Sequence, residues 1–379
     1  MIEIKYSQIE IIFVIILVIV ASIQILYYLL FYLRISIKKK VAENQHLDIP
    51  VSIIICAKNE EENLRRFLPK VFEQQYKNYE VIIVNDCSTD NTETYITNLQ
   101  LKYPNLKYTF IKEDPKFKHS KKLAVTIGIK AAMYDHFVFI DADCYPETDL
   151  WLTSIVKKFG DKTQLVLGYG GYIQGEGFLD KLVRYDTFFI AVNYFSFARV
   201  GLPYMGVGRN MAYTREAYMQ SSRFTKHYHI TSGDDDLFVC EIGRKGNTAV
   251  ELSENGYTRS EQVETFKQWC SQKRRHITTA HRYRFIHKLL LGLEPVTRLL
   301  FYLLALLYFV LGFSAMWYIV ISLVFVRLVS QLIINNLNMK RLHESKILVY
   351  SPLFDIIIPI FVAIFFIQNK LNNRRRRWK

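Results

Sequence analysis

Two things are scarce in this sequence of 379 residues: paired cysteines and acidic charge. The five cysteines, Cys56, Cys87, Cys144, Cys240 and Cys270, include no C-x-x-C pair, which argues against a zinc ribbon or a disulfide framework and fits a reducing compartment. Acidic residues number 35 against 49 basic ones, a net charge of +14. No nucleic-acid motif accompanies that excess, so a nucleic-acid partner is not expected. The positive charge gathers instead at Arg34–Lys40, Lys273–Lys288 and Arg374–Lys379, beside apolar segments, which points to membrane lipids as partners. Internal repeats are missing, and Arg374–Arg377 is the one low-complexity run. With 50% of residues hydrophobic and 22% charged, a disordered chain is excluded.

A plain soluble globule is excluded too. Ile11–Leu33 and Leu299–Val326 are uncharged apolar runs, and each exceeds the roughly 20 residues a helix needs to cross a bilayer core. The first reads as a retained anchor, because its core is too long for a signal peptide and no small-x-small cleavage site precedes the basic cluster. Basic residues follow it, so the positive-inside rule places the middle of the chain in the cytoplasm of an integral, multi-pass protein of the cytoplasmic membrane. Gly312 interrupts the Leu299–Leu337 stretch and predicts two crossings, about 299–317 and 318–337. A further helix is expected at about 347–367, interrupted by Pro352, Asp355 and Pro359. Three crossings would set the Arg-rich tail outside, against the same rule, so the side of the tail stays open.

The expected organisation is an anchor over 1–40, a globular domain over 41–262, a basic amphipathic interface helix over 263–293 and a membrane region over 294–379. In the globular part, Val51–Ala57, Val81–Asn85, Lys107–Ile111 and Phe137–Ile140 read as buried strands, being near-continuous in Ile and Val. Glu60–Phe72 and Lys121–Met133 between them have helical spacing. This alternation predicts an α/β, doubly wound sheet whose ligands sit beyond the carboxyl ends of the strands. Gln164–Ile173 reads as another strand, Gly177–Val200 as an aromatic-rich helix, and Asp234–Lys245 as a helix stopped by Gly246.

The chemistry concentrates after the strands. Phe139-Ile-Asp-Ala-Asp143 ends an apolar strand in two carboxylates, a pattern suited to a hard divalent cation such as Mg²⁺, which takes oxygen ligands together with substrate phosphates; chance and helix capping also produce it. Asn85-Asp-Cys-Ser-Thr-Asp90 and Ala57-Lys-Asn-Glu60 follow two other strands as polar loops that serve either a nucleobase or a turn and cap. Gly233-Asp-Asp-Asp236 places three acids before a helix, where the dipole alone would favour them.

Taken in order, these motifs resemble glycosyltransferase family 2, whose catalytic domain has the GT-A fold. The resemblance covers Val51 to Leu291 and includes Val51–Glu60, Val84–Thr92, Lys121-Lys122, Asp141-Ala-Asp143, Gly208-Arg-Asn-Met-Ala-Tyr213, Gly233–Asp236 and Gln272-Lys-Arg-Arg-His276. It implies a GT-A, Rossmann-like nucleotide-sugar-binding domain flanked by transmembrane helices. The implied activity is inverting sugar transfer from a UDP-sugar to a lipid-linked or glycan acceptor. By the same resemblance Ala57, Asn59, Glu60, Asp86, Lys121, Asp141 and Arg275 would bind the donor, with Lys122 a near miss for Lys121. Asp143, with Asp141, would ligate the metal. Asp235 would be the general base, selected by the family's spacing back from Gly246, and Asp236 a helix cap. Arg209, Asn210, Asp234, Gln272 and His276 would meet the acceptor. His276 stands where the family has tryptophan, which weakens a processive-synthase reading. That synthase, a catalytically inactive nucleotide-sugar-binding protein and a transporter are the alternatives.

Overall fold

The computed structural model describes residues 2–37, 49–112, 120–227, 230 and 232–377. The expected basic residues Lys38–Lys40, the expected boundary at 40/41 and the last two residues of the tail lie outside them. The chain divides into two units, one of Lys39–Glu176 and Phe197–Trp269, the other of Met1–Lys38, Gly177–Ser196 and Cys270–Lys379. The strands are β1 Val51–Ala57, β2 Tyr79–Asp86, β3 Leu106–Ile111, β4 His136–Phe139, β5 Cys144–Pro146, β6 Leu165–Leu167, β7 Gly170–Tyr172, β8 Met211–Thr214, β9 Thr248–Val250 and β10 Thr258–Ser260. The α-helices are α1 Ile2–Leu26, α2 Glu61–Phe72, α3 Thr92–Gln100, α4 Lys121–Ala131, α5 Trp151–Val156, α6 Gly177–Arg199, α7 Arg215–Gln220, α8 Asp236–Ile242, α9 Phe266–Ile277, α10 Phe285–Val310, α11 Trp317–Arg341 and α12 Ser351–Arg377.

The first unit is built on a mixed sheet in the order β3-β2-β1-β4-β8-β6-β9, with β5-β10-β7 as a second sheet. The first four strands run parallel, and β8 runs antiparallel to both β4 and β6. Their Ile- and Val-rich sequences follow from burial on both faces: Ile53, Ile55, Val81, Ile83 and Val138 join Leu64, Ile96 and Trp151 in one core. On the other face α4 lies close to the sheet, since a Cβ on Gly128 would stand 2.6 Å from Ile54 Cγ2. Strands β2 and β3 leave β1 on one side and β4 on the other, so a crevice opens beyond the carboxyl ends of β1 and β4.

Two expectations change here. Gln164–Ile173 is not one strand: β6 and β7 belong to different sheets, and the chain between them passes so close to Asn210 that a Cβ on Gly168 would stand 2.5 Å from it. The helix expected over Asp234–Lys245 spans only Asp236–Ile242. Its C-cap is Gly243, and Gly246, with φ +101°, turns the chain further on.

The second unit holds four helical segments long and apolar enough to cross a membrane: Gln8–Ile35, Phe285–Val310, Trp317–Arg341 and Leu348–Asn369. Val14, Leu17 and Ala21 of α1 pack with Phe301, Ala305 and Tyr308 of α10 and Val320 of α11. The bounds differ from the expected ones, and the buried charges of α10, α11 and α12 are paired. Glu294 and Arg298 pair with each other within α10, while Asp355 of α12 meets Arg298 at 3.0 Å and Arg327 of α11 at 2.6 Å. Gly312, with φ +74°, lies in the turn between α10 and α11, as expected. The anchor is a longer helical run than 11–33: it starts at Ile2 and continues through π and 3₁₀ turns to Ile35.

The helix expected over 263–293 is instead two, α9 and the start of α10, separated by a 3₁₀ turn at Ala280–Arg282. Lys273, expected among the lipid-facing cations, is buried against Asp186 at 2.6 Å, and Trp269 is buried as well. Residues Gly177–Ser196 of α6 also belong to this unit rather than to the globular one. Arg184 explains why: its guanidinium is buried against Glu344, with an N–O distance of 2.6 Å.

Candidate active site

Past the end of β4, Asp141 and Asp143 carry their carboxylates beyond the sheet at the point where strand order reverses. Their oxygens and the Cys144 sulfur lie within 4.8 Å of one another, and the Cys144 thiol donates to Asp143 Oδ1 at 3.3 Å. Burial, reinforced by the neighbouring Asp141, holds the Asp143 carboxyl above its ordinary range. Two like charges in a half-buried, oxygen-rich place favour a bound cation, so these residues fit a hard divalent metal.

Lys121 opens α4 beside them. Its ammonium donates to Asp141 Oδ1 at 2.5 Å and stands 3.6 Å from Asp234 Oδ2. Burial works against that charge, but Asp141 and Asp234 outweigh it and keep the ammonium protonated well above its usual value. The next residue points elsewhere: Lys122 is buried and donates to the carbonyl oxygens of Ile230 and Ser232 at 2.8 and 2.7 Å. Side chains of Lys121, Asp141, Asp234 and Asp235 share one pocket with Cys56, Val125, Gly208 and Tyr213. Its cavity volume is about 20 Å³, room for about one water molecule.

The three acids divide their roles differently from the expected scheme. Asp235, not Asp236, is the N-cap of α8: its Oδ1 accepts from Asp236 N at 2.7 Å and its Oδ2 from Gly208 N at 3.1 Å. Two backbone donors therefore fix the direction of that carboxylate at the pocket wall. Asp236 is buried and accepts from Leu237 N at 2.7 Å. Burial raises the Asp234 carboxyl, partly offset by Lys121.

On the other side of the crevice, the loops after β1 and β2 are stitched together. Asn59, with φ +57°, accepts from Thr89 N at 2.7 Å through its side chain and donates its own N–H to Ser88 at 2.9 Å. Glu60 binds Asn63 at 2.6 Å and is raised by burial. Ala57 and Asp86, both buried, end their strands at this rim. Arg209 stacks its guanidinium 4.9 Å from the Tyr172 ring centre. Asn210 departs from expectation: fully buried, it donates to the carbonyls of Tyr169 and Gly256 and accepts from Trp151 Nε1, so it braces the site from behind rather than meeting an acceptor.

Gln272, Arg275 and His276 lie on the part of α9 that belongs to the membrane unit, Gln272 half-buried and the other two exposed. Sequence reasoning placed Gly208 in a motif but missed that its N–H holds Asp235, and it missed the inward turn of Lys122. Their motif neighbours were visible, but the direction of each group is set by tertiary packing.

The sequence model described as glycosyl transferase family 2 matches residues 52–220. Over 127 residues the chain is 34% identical to dolichyl N-acetyl-alpha-D-glucosaminyl phosphate 3-beta-D-2,3-diacetamido-2,3-dideoxy-beta-D-glucuronosyltransferase of Methanococcus voltae, covering 32% of this chain and 39% of that protein. It is 31% identical over 117 residues to poly-beta-1,6-N-acetyl-D-glucosamine synthase of Staphylococcus aureus, covering 31% of this chain and 27% of that one. The chain thus spans well under half the length of these relatives. Among solved structures, a mannosyltransferase from Pyrobaculum calidifontis in complex with GDP-Man and Mn²⁺ aligns with a TM-score of 0.58 at 16% identity, covering 94% of this chain and 99% of that one. That last likeness is one of fold, the GT-A fold.

Proposed function

From the match of residues 52–220 to the glycosyl transferase family 2 model, we propose that the chain is a membrane-bound inverting glycosyltransferase using a UDP-sugar and a lipid-linked or glycan acceptor. The observation that carries this reading is the convergence of Asp141, Lys121, Asp234 and Asp235 on one pocket, with Asp143 beside Asp141. An acceptor hydroxyl has a pKa far above neutral, so a carboxylate has to take its proton as it attacks the anomeric carbon. Asp235 does this, its direction fixed by Gly208 N and Asp236 N. Asp141 and Asp143 would hold Mg²⁺ or Mn²⁺, which supplies charge stabilisation to the diphosphate leaving group. Lys121 adds positive charge for the phosphates. The loops of Ala57, Asn59, Glu60 and Asp86 cradle the nucleoside, while Arg209 and Asp234 serve the acceptor.

The test is to incubate the detergent-solubilised full chain with a panel of UDP-sugars, Mn²⁺ or Mg²⁺ and a membrane lipid extract, measuring UDP release. Release from one donor, dependent on lipid, supports the reading; none from any donor overturns it. A second reading, a processive polysaccharide synthase, draws support from the likeness to poly-beta-1,6-N-acetyl-D-glucosamine synthase. Product length separates the two: one added sugar against a ladder.

A further inference from the structure

We infer that Lys122 is a positioning residue, whose buried ammonium, bonded to the carbonyls of Ile230 and Ser232, fixes the approach to the acid triplet so that Asp235 faces the acceptor. The inference rests on the reading of Asp235 as the base. A lysine side chain with 1% of its surface exposed needs partners for its donors, and two carbonyl oxygens accept from it at 2.8 and 2.7 Å. Those carbonyls are not arbitrary. Ser232 precedes Gly233, whose φ of +97° only glycine adopts readily and whose Cβ, if present, would stand 2.6 Å from Leu237 Cδ1. Asp234 and Asp235 follow at once, and α8 begins directly after them. The acid triplet is thus clamped on one side by Lys122 and on the other by the start of α8.

The preceding residue completes the geometry. Lys121, in the same first turn of α4, binds Asp141 at 2.5 Å. One helix start therefore holds both the strand end that offers Asp141 and Asp143 and the loop that offers Asp235. With α4 seated closely on Ile54 through Gly128, the spacing between the two halves of the site is set by a rigid element rather than by the loops themselves.

The test replaces Lys122 by methionine, which keeps length without donors, in the full chain. Amide hydrogen exchange at Gly233–Asp236 should rise by about tenfold or more while β1 amides keep their protection, as expected for local rather than global loosening. Turnover, read as UDP release, should fall by about 10²-fold, the cost of misplacing a catalytic group, with UDP affinity unchanged. Lys122→Gln, which retains a donor, should fall between, and it replaces Lys122→Met if that variant does not fold. Unchanged exchange at Gly233–Asp236, or a loss of UDP affinity equal to the loss of turnover, overturns the inference. Asp235→Asn measured alongside separates the two readings. If Asp235→Asn is slow but Lys122→Met is not, the inference alone fails; if Asp235→Asn keeps full turnover, the base assignment fails and takes the inference with it.

Discussion

The two units bury charge in opposite ways. In the membrane unit Glu294 and Arg298 pair within α10, and Asp355 meets both Arg298 and Arg327, so two acids answer two guanidiniums; Tyr302 also donates to Asp355 at 2.7 Å. In the globular unit Asp141, Asp143, Asp234 and Asp235 crowd one place, and Lys121 is the cation bridging two of them. Matched charge inside a fold is structure. Unmatched charge, held half-open beside a crevice, is what the proposed metal would neutralise.

The comparison breaks most visibly at Asp143. Asp143→Ala should abolish turnover with every UDP-sugar, and EDTA should do so reversibly; full activity in EDTA would end the metal proposal. Next comes Asp235→Asn, expected to slow UDP release by about 10² to 10⁴ while UDP and metal still bind. If Asp234→Asn or Asp236→Asn is dead instead and Asp235→Asn is near wild type, the wrong acid has been chosen.

In the membrane unit the large effect should be on stability. Arg327→Leu leaves Asp355 short of a partner and should cost about 3–5 kcal/mol, read as a lower thermal midpoint in detergent. The double variant Arg327→Leu with Asp355→Leu should recover much of that, because the Glu294–Arg298 pair remains. Equal losses in the single and double variants would refute the matched-charge account.

The smallest effect carries the opposite sign. Asp143 has a carboxyl raised by burial and by Asp141, so its ionisation opposes folding in the metal-free protein. What it contributes to stability is present below the ordinary carboxylate range of about 3.9 and is lost as pH rises through its folded value. Asp143→Asn should therefore raise the thermal midpoint slightly at neutral pH in EDTA, and the gain should vanish on acidification. A lowered midpoint would place Asp143 with the structural charges.

Much of the globular unit was legible. β1 to β4 announced themselves as Ile- and Val-rich runs because burial on both faces demands that composition, and Asp141 and Asp143 followed from their place after β4. What stayed hidden depended on partners far along the chain. Asn210 carries a polar amide inside a recognisable motif, yet its use is decided by the carbonyls of Tyr169 and Gly256 and the indole of Trp151. The end of α8 was misread because two glycines compete there, and local signals do not choose between Gly243 and Gly246. The helix expected at about 299–317 began too late because only the uncharged run was counted, whereas four-residue spacing lets Glu294 and Arg298 pair inside α10.

The assignment of Gly177–Ser196 to the membrane unit has a practical side in biosynthesis and expression. The main sheet is encoded in two pieces: β1 to β4 and β6 precede that helical stretch, and β8 and β9 follow it. A ribosome must deliver the helix before the strands that complete the sheet exist, so β4 waits for β8 while the intervening stretch already seeks its own partners. Any contiguous fragment that contains the whole sheet also contains this stretch. Cut away from the rest of its unit, it would lose Glu344 from Arg184 and Lys273 from Asp186, and would bare Tyr185 and Phe189, which pack on Phe354 and Tyr32, a surface prone to aggregation. A soluble fragment holding the whole sheet requires replacing that stretch, not trimming the ends.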